Sequence, residues 1–175
     1  MYRAKKKHRY VSLKFKIWQY FMLFTAVVFI LLWFFQIVFL ENFYEGMKIS
    51  DVKQKAATII DHYGDDDYSE MLTDIAINND LCIEITDKFN RTLYSKDVMG
   101  RTCLIHGPNN MSYKFIQKLK ESDKNTVYFK EFNNTINSDT LIMVSTIGSH
   151  NDPDGYLLIN TPLVPVGSTA SIIKK

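Results

Sequence analysis

Cys82 and Cys103 are the only cysteines in the chain, and two chemistries are open to them. A disulfide would close a loop of about 20 residues and stabilise the fold by roughly 3 kcal/mol in the chain-entropy model. Free, partly buried thiols are the alternative. Two cysteines with scattered histidines (His8, His62, His106 and His150) lack the paired spacing of a zinc motif, so no metal ligands are expected. No catalytic constellation is legible either: Gly-x-Ser-x-Gly is absent, and Gly148-Ser149-His150 sits beside a turn. The run Asp65-Asp66-Asp67 lacks the D-x-D-x-D-G order of a calcium loop, and Asn151-Asp152-Pro153-Asp154-Gly155 reads as a hairpin turn. No catalytic residues are therefore expected in this chain.

Which chemistry the cysteines adopt depends on their compartment, because disulfides persist outside the cytoplasm. The 24 residues 17–40 carry no charge. As a helix they span roughly 36 Å, enough to cross a hydrocarbon core of about 30 Å. Residues 1–16 before them contain Arg3, Lys5, Lys6, Lys7, Arg9, Lys14 and Lys16 and no acidic residue, which places the N-terminus in the cytoplasm. Seven of the 21 Lys and Arg lie in that arm. Residues 17–175 have 14 basic residues against 19 acidic ones, a net charge of about −5 although the whole chain is +2. The basic arm abuts an apolar helix, so its expected partner is anionic membrane lipid and not nucleic acid. Trp18 and Tyr20 near one end, and Trp33, Phe43 and Tyr44 toward the other, suit interfacial belts. A cleaved signal peptide would have a shorter apolar region ending at a small-x-small site, and 38–43 has none, so the anchor is expected to be retained.

Residues 41–167 form one domain's worth of chain. A helix is expected over 42–62, with Tyr44, Met47, Val52, Ala56, Ile59, Ile60 and Tyr63 at helical spacing. Asp67 with Glu70 predicts a capping box opening a second helix. After Asn79 the periodicity becomes alternating, with a strand through 81–86, a turn at 87–91 and a return strand at 92–95. A helix at 112–121 and strands at 127–132, 141–147 and 156–160 follow, then Pro162, Pro165 and a helical start at 168–175. This order predicts an α+β fold: an anchor helix continuing into a stalk, then a five-stranded antiparallel sheet with helices on one side and the other face free for a ligand.

The order of these segments resembles the input half of the membrane-bound sensor histidine kinases of low-GC Gram-positive bacteria. Ile83-Glu84-Ile85-Thr86-Asp87, Val98-Met99-Gly100-Arg101 and Tyr156-Leu157-Leu158-Ile159-Asn160-Thr161-Pro162-Leu163, running into Pro165-Val166-Gly167-Ser168-Thr169, carry the likeness. The resemblance implies a PAS-like (PDC or Cache-type) extracytoplasmic domain, with 168–175 starting the helix that returns to the membrane. Phosphotransfer would need a kinase core that this chain does not contain: no histidine lies in a His-Glu-x-x-x-Pro context, and no Gly-rich phosphate loop is present. ATP and Mg, and a response regulator as partner, are implied for that core alone.

Sensors of this kind place ligand-contacting groups in the loop after the second strand, which implicates Arg101 and His106. Tyr128, Lys130 and Ser145 are expected on the same side of the sheet, where cations and hydroxyls would suit a carboxylate. Solvated loop and strand residues are the plainer reading of all five. The expected assembly is a homodimer in the cell membrane with an unidentified extracellular ligand. The rival function is a complete single-pass envelope protein whose outer domain binds or scaffolds. A chemoreceptor or cyclic-dinucleotide enzyme would share the same input architecture.

Overall fold

A computed structural model describes residues 13–106 and 111–163, with the side chains of 37–42 left undescribed. The expectations for 1–12, for the loop at 107–110 and for the segment 164–175, including the returning helix, lie outside these residues. Two compact units are present, Met1–Tyr44 and Glu45–Lys175. The first contributes the opening part of helix α1 (Leu13–Asp61). Within it, Leu13–Gln36 is long and apolar enough to cross a membrane, and its large side chains, such as Phe21, Phe24, Ile30 and Trp33, are exposed. Thr25 satisfies its hydroxyl within this stretch by donating to the carbonyl of Phe21 at 2.9 Å.

The second unit is α+β. After the later turns of α1 come α2 (Tyr68–Asn79), β1 (Cys82–Asp87), β2 (Thr92–Asp97), a short 3-10 turn at Gly100–Thr102, α3 (Met111–Lys120), β3 (Thr126–Asn133), β4 (Ser138–Gly148) and β5 (Pro153–Pro162). The strands form one antiparallel sheet in the order β2-β1-β5-β4-β3. The first and last strands are therefore neighbours at its centre, with Cys82 opposite Asn160. Gly155 is required there, because a Cβ would sit 2.2 Å from the carbonyl oxygen of Thr86 on β1.

Both faces of the sheet are covered, which corrects the expectation of helices on one side and an open face opposite. One face holds Ile83, Ile85, Leu141, Met143, Leu157 and Ile159 against Val52, Ala56 and Ile59 of α1 and Leu72 and Ala76 of α2. The other holds Ile142, Val144, Tyr156 and Leu158 against Phe115, Ile116 and Leu119 of α3 and Ile105 of the loop before it. The physical reason lies in the strands, since β1 is buried at every position and β4 and β5 along nearly all their length. In β4 and β5 the buried runs 141–144 and 156–159 show no polar alternation, because water touches neither side.

The capping box is also corrected. Asp67 occupies the N-cap position of α2, but its φ of −95° and ψ of 9° lie outside the extended region that turns a side chain back onto the helix, and it makes no side-chain cap. The helix end is satisfied by main chain instead, with the amides of Glu70 and Met71 both donating to the Asp67 carbonyl at 3.0 Å. At its other end Asp80 takes the left-handed conformation, at φ 52°.

Candidate functional site

Cross-strand partners point to the same face of a sheet, and the β1–β2 register pairs Cys82 with Asp97 and Glu84 with Ser95. These four residues thus face α3. A bulge at Ile85/Thr86 sets Thr92 opposite Thr86, so that its hydroxyl donates to Glu84 Oε1 at 2.8 Å. The chain then turns back over this patch. Asp97 Oδ1 accepts the amide of Gly100 at 2.8 Å, and the segment after it lays Cys103 and His106 on the strands.

Cys82 and Cys103 are joined as a disulfide, with both residues buried. The bridge is one of four ties on this short segment. Asn133 of β3 donates to the carbonyl of Thr102 at 2.6 Å. Asn160 of β5 accepts the amide of Leu104 at 2.9 Å. Ser112 of α3 lies 2.7 Å from the carbonyl of Ile105 and 2.5 Å from Glu84 Oε2, so its single hydrogen is shared between two acceptors. Successive residues of the loop are thereby anchored to β3, β1, β5 and α3. Asn160 is itself wholly buried, and its amide donates to Thr140 Oγ1 at 2.8 Å and to the carbonyl of Leu141 at 3.0 Å. Each of its three polar contacts replaces one that water would otherwise make.

His106 lies at the centre of this patch. Its Nδ1 is 3.2 Å from Cys82 Sγ and 3.7 Å from Asp97 Oδ2. Its Nε2 is 3.0 Å from Ser95 Oγ and 3.8 Å from Glu84 Oε2. A disulfide sulfur carries no hydrogen, so the contact at Nδ1 requires the ring to donate there. In the neutral ring Nε2 then accepts from the Ser95 hydroxyl. With the bridge closed the sulfurs are not available as metal ligands.

The five residues expected to line one ligand site are not brought together. Arg101 is exposed on the 3-10 turn, and His106 joins the cysteine patch. Tyr128, Lys130 and Ser145 lie on the opposite face, because they pair with or alternate alongside Met143 and Leu141, which pack toward α1. Lys130 Nζ donates to Glu45 Oε2 of α1 at 2.9 Å and lies 3.5 Å from Asp139 Oδ2. The hydrogen bond to Glu45 is the main cause that raises its ammonium above the usual lysine range. Ser145 Oγ shares a hydrogen bond with Thr126 Oγ1 at 2.8 Å and donates to the Asn125 carbonyl at 3.2 Å. The Tyr128 phenol is pushed up by burial. Lys130 and Ser145 thus join elements of the fold to one another.

Residue typing alone misses Glu84, Ser95, Asp97 and Ser112. The signal that finds the first three is the register: a turn at 87–91 sets position 82 against 97 and 84 against 95, which leaves one thiol and three polar side chains on a single face. No protein-family model matches the chain, and no curated protein matches its sequence.

Proposed function

We propose that this chain is the signal-sensing and membrane-anchoring region of a two-component sensor histidine kinase, with its basic arm in the cytoplasm and its sheet domain outside the cell. The observation that carries the reading is the pairing of β1 with β5. The chain comes into the sheet at Cys82 and leaves it beside that point, at Pro162. A domain inserted between two membrane helices needs its incoming and outgoing segments at one end. Leu163, just past β5, shares an apolar cluster with Val52, Ala56 and Ile59 of α1, so a shift of one segment is felt by the other. The covered five-stranded antiparallel sheet supports a PAS-like (PDC or Cache-type) assignment, and the buried disulfide suits an oxidising exterior.

In this reading two copies pair in the membrane, and a ligand biases two packings of the α1 and outgoing segments. Coupling of about 1 to 3 kcal/mol suffices for regulation of that kind. Phosphorylation of a histidine with ATP and Mg, and transfer to a response regulator, belong to a kinase core outside this sequence.

Sequencing the source DNA past the codon for Lys175 tests the proposal. A frame running into a second apolar helix and a His-Glu-x-x-x-Pro segment is the expected result. A stop codon overturns it and leaves an anchored envelope protein that binds or scaffolds. That second reading is favoured by one observation, namely that among the described residues both sheet faces carry packed apolar clusters. Topology is checked separately with a phosphatase reporter, active only outside the cell, fused after Leu163. An inactive fusion reverses the assigned orientation.

A further inference from the structure

We propose that reduction of the Cys82–Cys103 bridge converts this patch into a four-ligand zinc site made of the two thiolates, His106 Nδ1 and an Asp97 carboxylate oxygen. This goes beyond the sensor reading and does not depend on it. The four ligand atoms already lie within 4.8 Å of one another. Tetrahedral zinc, with bonds of about 2.3 Å to sulfur and about 2.0 Å to nitrogen and oxygen, sets its ligands about 3.3 to 3.8 Å apart. Two edges of that tetrahedron lie within about 0.5 Å of their required length, Cys82 Sγ to His106 Nδ1 at 3.2 Å and His106 Nδ1 to Asp97 Oδ2 at 3.7 Å. The sulfurs are bonded to each other, and breaking that bond is what frees both to move apart and ligate.

The surroundings suit a ligating imidazole. Metal-bound histidines donate their second N–H to an oxygen that fixes the ring, and Nε2 faces Ser95 Oγ at 3.0 Å with Glu84 Oε2 behind it at 3.8 Å. Metal at Nδ1 moves the ring proton to Nε2, which then donates to Ser95. Two soft thiolates with one imidazole and one carboxylate select zinc over magnesium or calcium. The sulfurs lie on the buried side, while His106 and Asp97, at 18% and 28% side-chain exposure, form the side open to solvent.

The reaction balances with a dithiol as reductant. The dithiol gives two electrons and two protons to the Cys82–Cys103 bond and leaves as its own disulfide. Zinc then binds both sulfurs and displaces the two thiol protons. The segment 100–106 exchanges a covalent staple for a metal one.

The test uses the full chain in detergent, reduced anaerobically with a dithiol that is then removed, and titrated with cobalt(II) as a spectroscopic stand-in for zinc. We expect one cobalt per chain, thiolate-to-cobalt charge transfer with the intense visible bands of a tetrahedral ion, and displacement by zinc. The oxidised chain should give none of these signals. His106→Gln and Asp97→Asn should alter the visible bands and weaken binding. Ser95→Ala, which touches no ligand atom of the set, should weaken it about 10- to 100-fold. Failure of the reduced chain to take up cobalt overturns the proposal, as does equal uptake by the oxidised chain or spectra unchanged in both His106→Gln and Asp97→Asn. Loss of the far-ultraviolet circular dichroism on reduction alone overturns it too, since the ligands would then not be held in place.

Discussion

The two faces of the sheet are built by different physics. Toward α1 and α2 the buried core is apolar, with Leu72, Ile59, Ile83 and Ile159 fully or nearly fully buried and a chain of edge-on aromatic pairs, Tyr63 to Tyr68 to Tyr94, at ring distances of 5.6 and 5.1 Å, while polar bonds such as Lys130 to Glu45 lie at its β3 edge. Burial among these rings pushes the Tyr68 phenol well above the usual tyrosine range. Toward α3 the apolar cluster is smaller, and the loop that completes it is fixed by a disulfide and by Asn160, Asn133 and Ser112. A long helix can supply an apolar stripe every turn, whereas a short return from Gly100 to His106 cannot. The loop therefore relies on directional bonds.

Substitutions separate these two modes. Leu72→Ala, on the apolar face, should cost about 2 to 5 kcal/mol in chemical denaturation, because nothing polar or covalent takes over the lost contact. Replacing both cysteines by serine should cost roughly 3 kcal/mol on the opposite face. Protease sensitivity should rise between Gly100 and His106, while the aromatic chain stays intact by near-ultraviolet circular dichroism. A cysteine variant that melts both faces together would erase the distinction. Asn160→Ala strips partners from the Leu104 amide, the Leu141 carbonyl and Thr140 at once, and should cost about 1 to 3 kcal/mol, with hydrogen exchange at Leu104 accelerated.

The smallest expected effect belongs to neither face. Asp87 caps the β1–β2 turn, where its carboxylate accepts the amides of Phe89 and Arg91 at 2.8 Å and Arg91 Nε at 2.6 Å. Desolvation pushes its carboxyl upward, but these bonds outweigh it and hold the group below the usual carboxylate value. A depressed carboxyl stabilises the fold above its unfolded value of about 3.9 and loses that contribution as pH falls through the folded value. Asp87→Asn should therefore lower Tm modestly at pH 7, where the carboxylate's contribution is fully present, and flatten the decline of Tm below about pH 4. An unchanged acid limb would remove this carboxylate as its source.

Much of this fold is legible in the residues. The uncharged run 17–40, the alternation through 81–86 and the proline- and glycine-marked hairpin at 151–155 each announce their element. What the pattern hides is which face a residue takes. In β4 and β5 both sides are apolar, so Met143 cannot be told from Val144 by polarity, and strand ends at Ser138 and Pro153 look like loop. That ambiguity is why Tyr128, Lys130 and Ser145 are expected beside His106 and are found behind the sheet from it. The Asp67–Glu70 spacing has a different lesson, since a motif for capping is present without the backbone conformation that would use it. The His106 patch is hidden in the sequence because its members are drawn from 82 to 112 and meet only through hairpin register and the return of one loop.

The side-by-side placement of Cys82 and Asn160 also fixes how the domain answers to force. Tension pulling the incoming and outgoing segments apart acts on neighbouring ends of two antiparallel strands, and so opens their ladder one pair at a time instead of shearing all pairs together. The first pair to part is the one that bears the bridge on one strand and the loop-pinning amide on the other. A closed staple ties β1 to the loop whose Leu104 amide is held by Asn160 of β5, and so braces that first pair against opening.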